Sequence, residues 1–278
     1  RGWLSSNSVL LKDDRQSILI DTGYWTHADQ TAQLVAQHLD GQPLDLILNT
    51  HLHSDHCGGN ATLQSLYPQS ETRIPPGRAS FVFDWDPAAL SYVPTGQHCP
   101  VFHADGVMQP GDEFEVAGMV WKAFAAPGHD PDSLIFYCRS HGILISADAL
   151  WENGFGVVFP EIEGIHAFDE VGATLDLIER LSPKLILPGH GSAFTDCSAA
   201  LKQARDKLKR FVDEPKKHAL YAAKVLLKFK LLELQQVNHV AFADWATKCE
   251  LLQLLHAQHD GAKSFASWFE FLIHELVR

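Results

Sequence analysis

The 278 residues suffice for one large domain, or one domain with an appendage, and 46% hydrophobic with 20% charged residues is the make-up of an ordinary globular chain. No apolar run approaches the roughly 18 residues that a membrane span needs. The net charge of -12 hides an asymmetry, since residues 1–200 hold nine Lys and Arg against 25 Asp and Glu, while residues 201–278 hold 13 against nine; an acidic main body is a poor partner for nucleic acid, and an anion bound there must be met by metal ions or local donors.

The chain opens at Arg1 with no signal-peptide pattern. Its five cysteines (Cys57, Cys99, Cys138, Cys197 and Cys249) are odd in number, widely spaced and free of any CxxC pair. That argues against a disulfide framework and for a reducing compartment, so a cytoplasmic location is expected.

Ser8 to Leu11 and Ser17 to Ile20 read as a strand pair around a polar turn, and Asp21-Thr22-Gly23 ends the second strand. His27 to Leu39 has helical spacing through Ala28, Ala32, Val35 and Leu39. A short buried-type strand, Leu44 to Leu48, then leads to Thr50 and a dense histidine cluster. Residues 68–110, rich in proline and aromatics, read as insertion loops with short helical pieces. Strands resume near Glu113 to Val116 and Val120 to Ala125, then Ser133 to Cys138 and Gly142 to Ser146. A helix over His166 to Leu181 precedes a strand at Lys184 to Leu187. After residue 197 only helical patterns follow, over Ser198–Val212, Pro215–Gln235, Ala241–His259 and Lys263–Val277. Two domains are expected, a catalytic one over residues 1–197 and a helical extension over residues 198–278.

His51-Leu52-His53-Ser54-Asp55-His56 puts three imidazoles and a carboxylate in six residues. These donors suit a borderline divalent ion such as zinc, and tolerate iron or manganese. An extended segment points His51 and His53 the same way, and a tight turn can then aim Asp55 and His56 at a second point, so one motif can feed two ions. Gly58 and Gly59 let the backbone pack closely behind. A polar loop with locally bonded histidines is the bland alternative, and this spacing between an apolar strand and a Gly-Gly pair speaks against it.

Here the sequence resembles the metallo-β-lactamase superfamily over about residues 5–195. Its HxHxDH hallmark stands as His51 to His56. Pro127-Gly128-His129, Ala147-Asp148 (where many members carry Gly-Asp) and Gly189-His190 are similar to the later family motifs, and Leu19 to Gly23 to its acidic strand end. The resemblance implies a four-layer αββα sandwich of α/β class. It implies one metal site of His51, His53 and His129, a second of Asp55, His56 and His190, and Asp148 bridging two divalent ions, zinc first, with iron or manganese as alternatives. Asp21 would orient a ligand histidine or, equally, cap backbone amides. Two close cations make hydroxide available near neutral pH and polarise the group it attacks, with Asp55 as ligand and orienting base. The expected function is therefore a binuclear hydrolase of a small ester, thioester or lactone. A mononuclear iron oxidoreductase of persulfide dioxygenase type and a phosphodiesterase on the same scaffold are the alternatives. Cys57, beside the cluster, is expected to be structural.

Trp25, the Phe81–Trp85 run, Trp151, Phe155 and Phe159 are candidates for an apolar substrate wall, with Trp151 and Phe155 favoured because they follow Asp148. In the helical extension, Leu220, Val225, Leu226, Leu231, Leu232 and Leu234 supply a wide apolar face. It can pack internally, close over the site as a lid, or form a homodimer. Ten basic residues between Lys202 and Lys230 invite a nucleic-acid reading, but no recognition motif accompanies them. The expected partner is a small-molecule substrate, without nucleic acid or membrane.

Overall fold

The computed structural model describes residues 2–277. Sheet one opens with the hairpin β1 (Val9–Lys12) and β2 (Ser17–Ile20), in which Val9 faces Ile20 and Lys12 faces Ser17. Asp13 closes its turn, its Oδ1 accepting from the amides of Arg15 (2.7 Å) and Gln16 (3.0 Å). After a 3-10 turn at Trp25–His27 come α1 (Ala28–Leu39), β3 (Leu46–Leu48), α2 (Ser54–Cys57) and α3 (Asn60–Leu66). Then β4 (Glu71–Ile74), α4 (Ala79–Phe83) and β5 (Gly106–Val107) complete a sheet of order β1-β2-β3-β4-β5, parallel from β2 onward.

Sheet two contains β6 (Glu113–Val116), β7 (Met119–Ala125), β8 (Leu134–Cys138) and β9 (Ile143–Ala147). After α5 (Phe159–Ile162) and α6 (Phe168–Leu181), β10 (Leu185–Pro188) joins the sheet's edge parallel to β9, in the order β10-β9-β8-β7-β6.

Side chains alternate across a strand, so each apolar strand feeds two cores. From β2, Ile18 and Ile20 pack with Leu48 against Trp121, Phe136 and Ile145 of sheet two, while Leu19 turns outward to Ala32, Val35 and Leu39 of α1. On the far side, Ile135, Leu144 and Ile186 meet Val171, Leu175 and Ile178 of α6, which share one helical face by their spacing. Each such fully buried aliphatic side chain contributes about 2 kcal/mol. Helix, sheet, sheet and helix therefore stack as the expected αββα sandwich.

The outer helical layer also includes α7 (Cys197–Asp213), whose Ala200, Leu201 and Ala204 enter the α6 core. Asp196 caps it by accepting from the Ala199 amide at 2.9 Å. Next come α8 (Pro215–Leu234), α9 (His239–Lys248), α10 (Glu250–Asp260) and α11 (Phe265–Val277). These helices share a second core of Ala222, Leu226, Phe242, Leu252, Trp268 and Leu272, which reaches the sandwich through Val157 and Ile162. Among the described residues no helix is long and apolar enough to cross a membrane.

Two local expectations are corrected, and one helix is unannounced. Residues 68–110, read as loops with short helical pieces, hold α4 but also contribute β4 and β5 to sheet one. Residues 60–66, past the Gly-Gly pair, form α3. The single helix expected over Ala241–His259 is broken at Cys249, whose backbone is extended. Its cause is tertiary: the Leu251 amide and the Cys249 thiol both donate to the Pro94 carbonyl, at 3.1 and 3.4 Å.

Candidate metal centre

Five strand ends meet at one edge of the sandwich. β2 and β3 are parallel, β7 and β9 share a direction because both run against β8, and β10 follows β9. Just beyond their carboxyl ends stand Asp21, the His51–His56 segment, His129, Asp148 and His190. His53 is extended (φ -66°, ψ 146°), and the one-turn α2 then swings Asp55 and His56 to the other side.

All seven residues expected to bind metal converge. His51 Nε2 lies 3.1 Å from His53 Nδ1, which lies 2.8 Å from His129 Nε2. His190 Nε2 lies 3.1 Å from Asp55 Oδ2, and His56 Nε2 lies 4.0 Å from the same oxygen. Asp148 stands between the groups, Oδ1 at 3.4 Å from His56 Nε2 and Oδ2 at 3.4 Å from His129 Nε2 and 3.7 Å from His190 Nε2. In each of the sets His51-His53-His129, His51-His56-Asp148 and Asp55-His56-His190, one ligand atom per residue lies within 4.8 Å of the others.

The outer face of each ring decides which nitrogen is bare. Asp21 combines the two roles expected for it: its Oδ1 accepts from the Thr50 amide at 2.8 Å, and its Oδ2 accepts from Thr50 Oγ1 and His56 Nδ1, each at 2.7 Å. Having spent its proton on Asp21, the Thr50 hydroxyl accepts from His51 Nδ1 at 3.1 Å. His129 Nδ1 donates to the Val157 carbonyl. The Nε2 atoms of His51 and His129 therefore face the centre as lone pairs, and buried His56 Nε2, without a hydrogen-bond partner, faces the Asp148 carboxylate. Lone pairs gathered this closely repel unless a cation lies among them. Tetrahedral bonds of about 2.0–2.1 Å would space such nitrogens roughly 3.3 Å apart. The donors present thus fit divalent ions of borderline softness.

Electrostatics separate the rings. Burial, then the neighbouring His56, holds His51 well below the ordinary imidazole pKa; burial and His129 bring His53 down to about 3. These two rings are neutral, as ligands must be. Burial also opposes charge on His56, but Asp148 and Asp21 outweigh it and raise its pKa well above the ordinary value. Burial disfavours the Asp148 carboxylate, yet His190 and His56 hold its pKa well below the usual range.

Several supporting residues carry no motif signal. Buried Asp130 places Oδ2 3.7 Å from His53 Nε2 and 3.8 Å from Arg78 Nη1; only its place after His129 hinted at it. Asn7 ties down the His190 loop, its amide donating to the Gly189 carbonyl and its Nδ2 to those of Pro188 (2.9 Å) and Gly191 (2.8 Å). A Cβ at Gly58 or Gly59 would lie 2.5 Å from the Ser54 or Thr22 carbonyl oxygen, so close backbone packing does require glycine there. Ala147 sits at φ +46°, which shows why glycine suits this place in the family pattern. At Gly189 a Cβ would lie 2.1 Å from Asp148 Oδ1 and 3.0 Å from His56 Cε1. Gly189→Ala is expected to lower metal affinity about 10- to 100-fold. Metal titration of the purified variant checks it, and parental affinity would show that both side chains can yield.

Above the cluster opens a cleft with an empty volume, mouth included, of about 870 Å³. Trp151 lines it as expected and donates from Nε1 to Asp148 Oδ1 at 3.1 Å. Phe159 lines it too, edge-on to His53 with ring centres 5.0 Å apart. Phe155 departs from expectation: it is 1% exposed and packs in the α6–α7 core, because the chain turns tightly between Trp151 and Gly154, whose φ is +119°. Trp25 is half-exposed against His98, and Phe83 and Trp85 border a separate surface hollow. No motif pointed to Trp3, whose ring centre is 5.7 Å from that of His190; the wall supplied by Tyr221, Val225, Leu226 and Phe229 of α8 and Leu251 of α10 includes Val225 and Leu226 of the apolar face for which a lid was one of the expectations. Cys57 is buried, its thiol within reach of the His53 carbonyl (3.3 Å) and Tyr92 Oη (3.3 Å).

Behind Trp151, buried Lys207 donates from Nζ to the Phe155 carbonyl at 2.7 Å and lies 4.1 Å from the Tyr221 ring centre and 4.8 Å from that of Phe155.

The family model described as the metallo-beta-lactamase superfamily matches residues 1–190. The protein YobT of Bacillus subtilis is 27% identical over 73% of this chain and 91% of its own length. An atrochrysone carboxyl ACP thioesterase of Aspergillus fumigatus is 23% identical over 74% of this chain and 56% of its own; the thioesterase pkgB of Emericella nidulans is 26% identical over 78% and 54%. The chain thus spans little more than half the length of these thioesterases. Among solved structures, a metallo-beta-lactamase family protein from Thermus thermophilus superposes with a TM-score of 0.57 at 21% identity, covering 92% of this chain and 89% of its own. The BLEG-1 B3 metallo-beta-lactamase superposes at 0.56 and 21% identity, covering 72% and 91%. With its motifs on the strand ends of an αββα sandwich, and that model matched over most of its length, this chain belongs to the metallo-β-lactamase superfamily.

Proposed function

We propose that the protein is a binuclear metal-dependent hydrolase that cleaves a small ester or thioester without a covalent enzyme intermediate. The observation that carries this reading is the pair of donor sets His51-His53-His129 and Asp55-His56-His190, with Asp148 set between them, on the floor of a largely apolar cleft. His51, His53 and His129 would hold one ion, and Asp55, His56 and His190 the other, with Asp148 reaching both. Zinc is the first choice for the donors, with iron or manganese as alternatives. Divalent ions bound there supply Lewis-acid activation of water and of the scissile carbonyl.

The chain's own groups do the rest. Asp21, Thr50 and the Val157 carbonyl fix the ligand tautomers, and Trp151 orients Asp148. Asp55, on the cleft floor, can orient the attacking water, take its proton at Oδ1, the oxygen not facing His190, and pass it to the departing oxygen or sulfur. Trp3, Trp151 and Phe159 limit competing water around the reacting carbonyl. The names of two relatives, both thioesterases, favour an acyl–sulfur bond.

Metal-loaded protein assayed on thioesters, esters, lactones and phosphodiesters, with Asp55→Ala in parallel, tests the reading. Thioester or ester turnover that falls at least about 100-fold in the variant is expected. Turnover untouched by the substitution, or oxygen uptake by protein holding one iron per chain, would overturn it.

A further inference from the structure

The two ends of the cleft differ in chemistry. Toward α8 and α10 it is closed by Val157, Leu226, Phe229 and Leu251, each at most 6% exposed, with Val225 half-buried beside them. The facing segment, Ser91 to Gln97, adds Pro94 and Thr95; neither it nor α8 and α10 place a charged side chain on the lining, whose charged residues outside the donor cluster are Arg78, Asp130 and Glu163. Past Val225, Trp3, Trp151 and Tyr221 continue into an open groove bordered by Lys224, Lys228 and Glu275. The Lys228 ammonium stands 5.2 Å from the Trp3 ring centre.

The closed end is braced. Pro94 accepts from the Leu251 amide and the Cys249 thiol, and the Gly96 carbonyl accepts from Lys230 Nζ at 3.1 Å. Gly96 (φ +64°) packs so tightly on Trp245 that a Cβ would lie 2.7 Å from Nε1. The same segment reaches the metal loop, where Ser54 Oγ donates to Gln97 Oε1. Fixed apolar surface that stays open beside a reactive centre has to be covered by the ligand, since it is costly to wet. A leaving group must escape to solvent, which assigns it the open groove; the other half of the substrate takes the closed end.

Resting on the hydrolase reading, we propose that the site selects substrates with a long hydrocarbon acyl chain, threaded from the carbonyl over Asp148 into the closed end beneath α8 and α10. The reaction is ordinary hydrolysis: water's oxygen bonds to the carbonyl carbon, the acyl–sulfur or acyl–oxygen bond breaks, and a carboxylic acid and a thiol or alcohol result.

The test is a series of straight-chain acyl thioesters from acetyl to dodecanoyl, with calorimetric binding of acetate, octanoate and decanoate as a readout independent of turnover. Each methylene entering the closed end should raise kcat/KM about fourfold, the gain from burying one CH2, so octanoyl should exceed butanoyl on the order of a hundredfold. Val225→Trp, which narrows the cleft from a half-buried position, should flatten the chain-length dependence of kcat/KM and lose decanoate binding. Equal kcat/KM along the series with brisk acetyl turnover would overturn the acyl assignment and leave the hydrolase reading intact. Chain-length-dependent carboxylate binding with no turnover of any thioester or ester would support the apolar end and remove the hydrolase reading.

Discussion

Asp148→Asn protein should fold, bind fewer than two metal ions per chain, and lose about a thousandfold or more in kcat/KM. The substitution keeps the shape and the oxygen that accepts from Trp151 Nε1, so it isolates the charge. Asp148 is the carboxylate that faces His56, His129 and His190 at once. Removing it takes one anionic donor from both proposed ions and removes the charge that sets the protonation of His56. Two-ion stabilisation of a transition state amounts to several kcal/mol, and about 4 kcal/mol is already a thousandfold. Metal content by inorganic mass spectrometry separates this from misfolding. Two ions retained with undiminished turnover would show that Asp148 only braces the cluster.

The second large effect concerns stability. Relative to a Lys207→Met variant, the native protein should gain about 4 kcal/mol of unfolding free energy between pH 6.5 and pH 10. Burial, reinforced by Arg210, brings the Lys207 pKa down to about 7, and its Nζ donates to the Phe155 carbonyl rather than to a carboxylate. In the unfolded chain the same ammonium titrates near 10.4. Between those values the unfolded state holds one proton more than the folded state, so stability rises with pH; below pH 7 both states are charged and the penalty is complete. Methionine keeps the volume and has no such slope. Urea unfolding of both proteins at the two pH values measures it. A constant difference would mean that the aromatic rings and the Phe155 carbonyl hold the charged form in the folded protein.

What the sequence disclosed was what short spacing can encode. His51 to His56 are neighbours in the chain and in space, and His129, Asp148 and His190 each end an apolar run whose strand character is plain. The apolar pattern of β2 and β3 even implied burial on both faces. By contrast, β4 alternates Glu71, Thr72, Arg73 and Ile74, with two charges facing solvent and one aliphatic facing in, too little apolar signal over four residues to mark a strand. The break at Cys249 contains neither glycine nor proline, and a carbonyl 155 residues earlier creates it. Phe155 and Trp151 look alike as aromatics after Asp148; their opposite fates depend on the tight turn from Trp151 to Gly154, which no periodicity announces. The closed end of the cleft was hidden for the same reason, since Val157, Phe229 and Leu251 meet only once α8 and α10 have folded back over the sandwich.

That folding back divides labour along the chain. Every residue placed in the donor sets precedes Gly191, on strand ends that the central core holds in register, whereas much of the wall beyond them belongs to helices after residue 214. A substitution on α8 can reshape what enters without disturbing a strand, and a substitution on a strand end ends the chemistry whatever enters. Inheritance can therefore act on the two halves at different speeds, with new substrates arising through the helices while the reacting centre stays fixed.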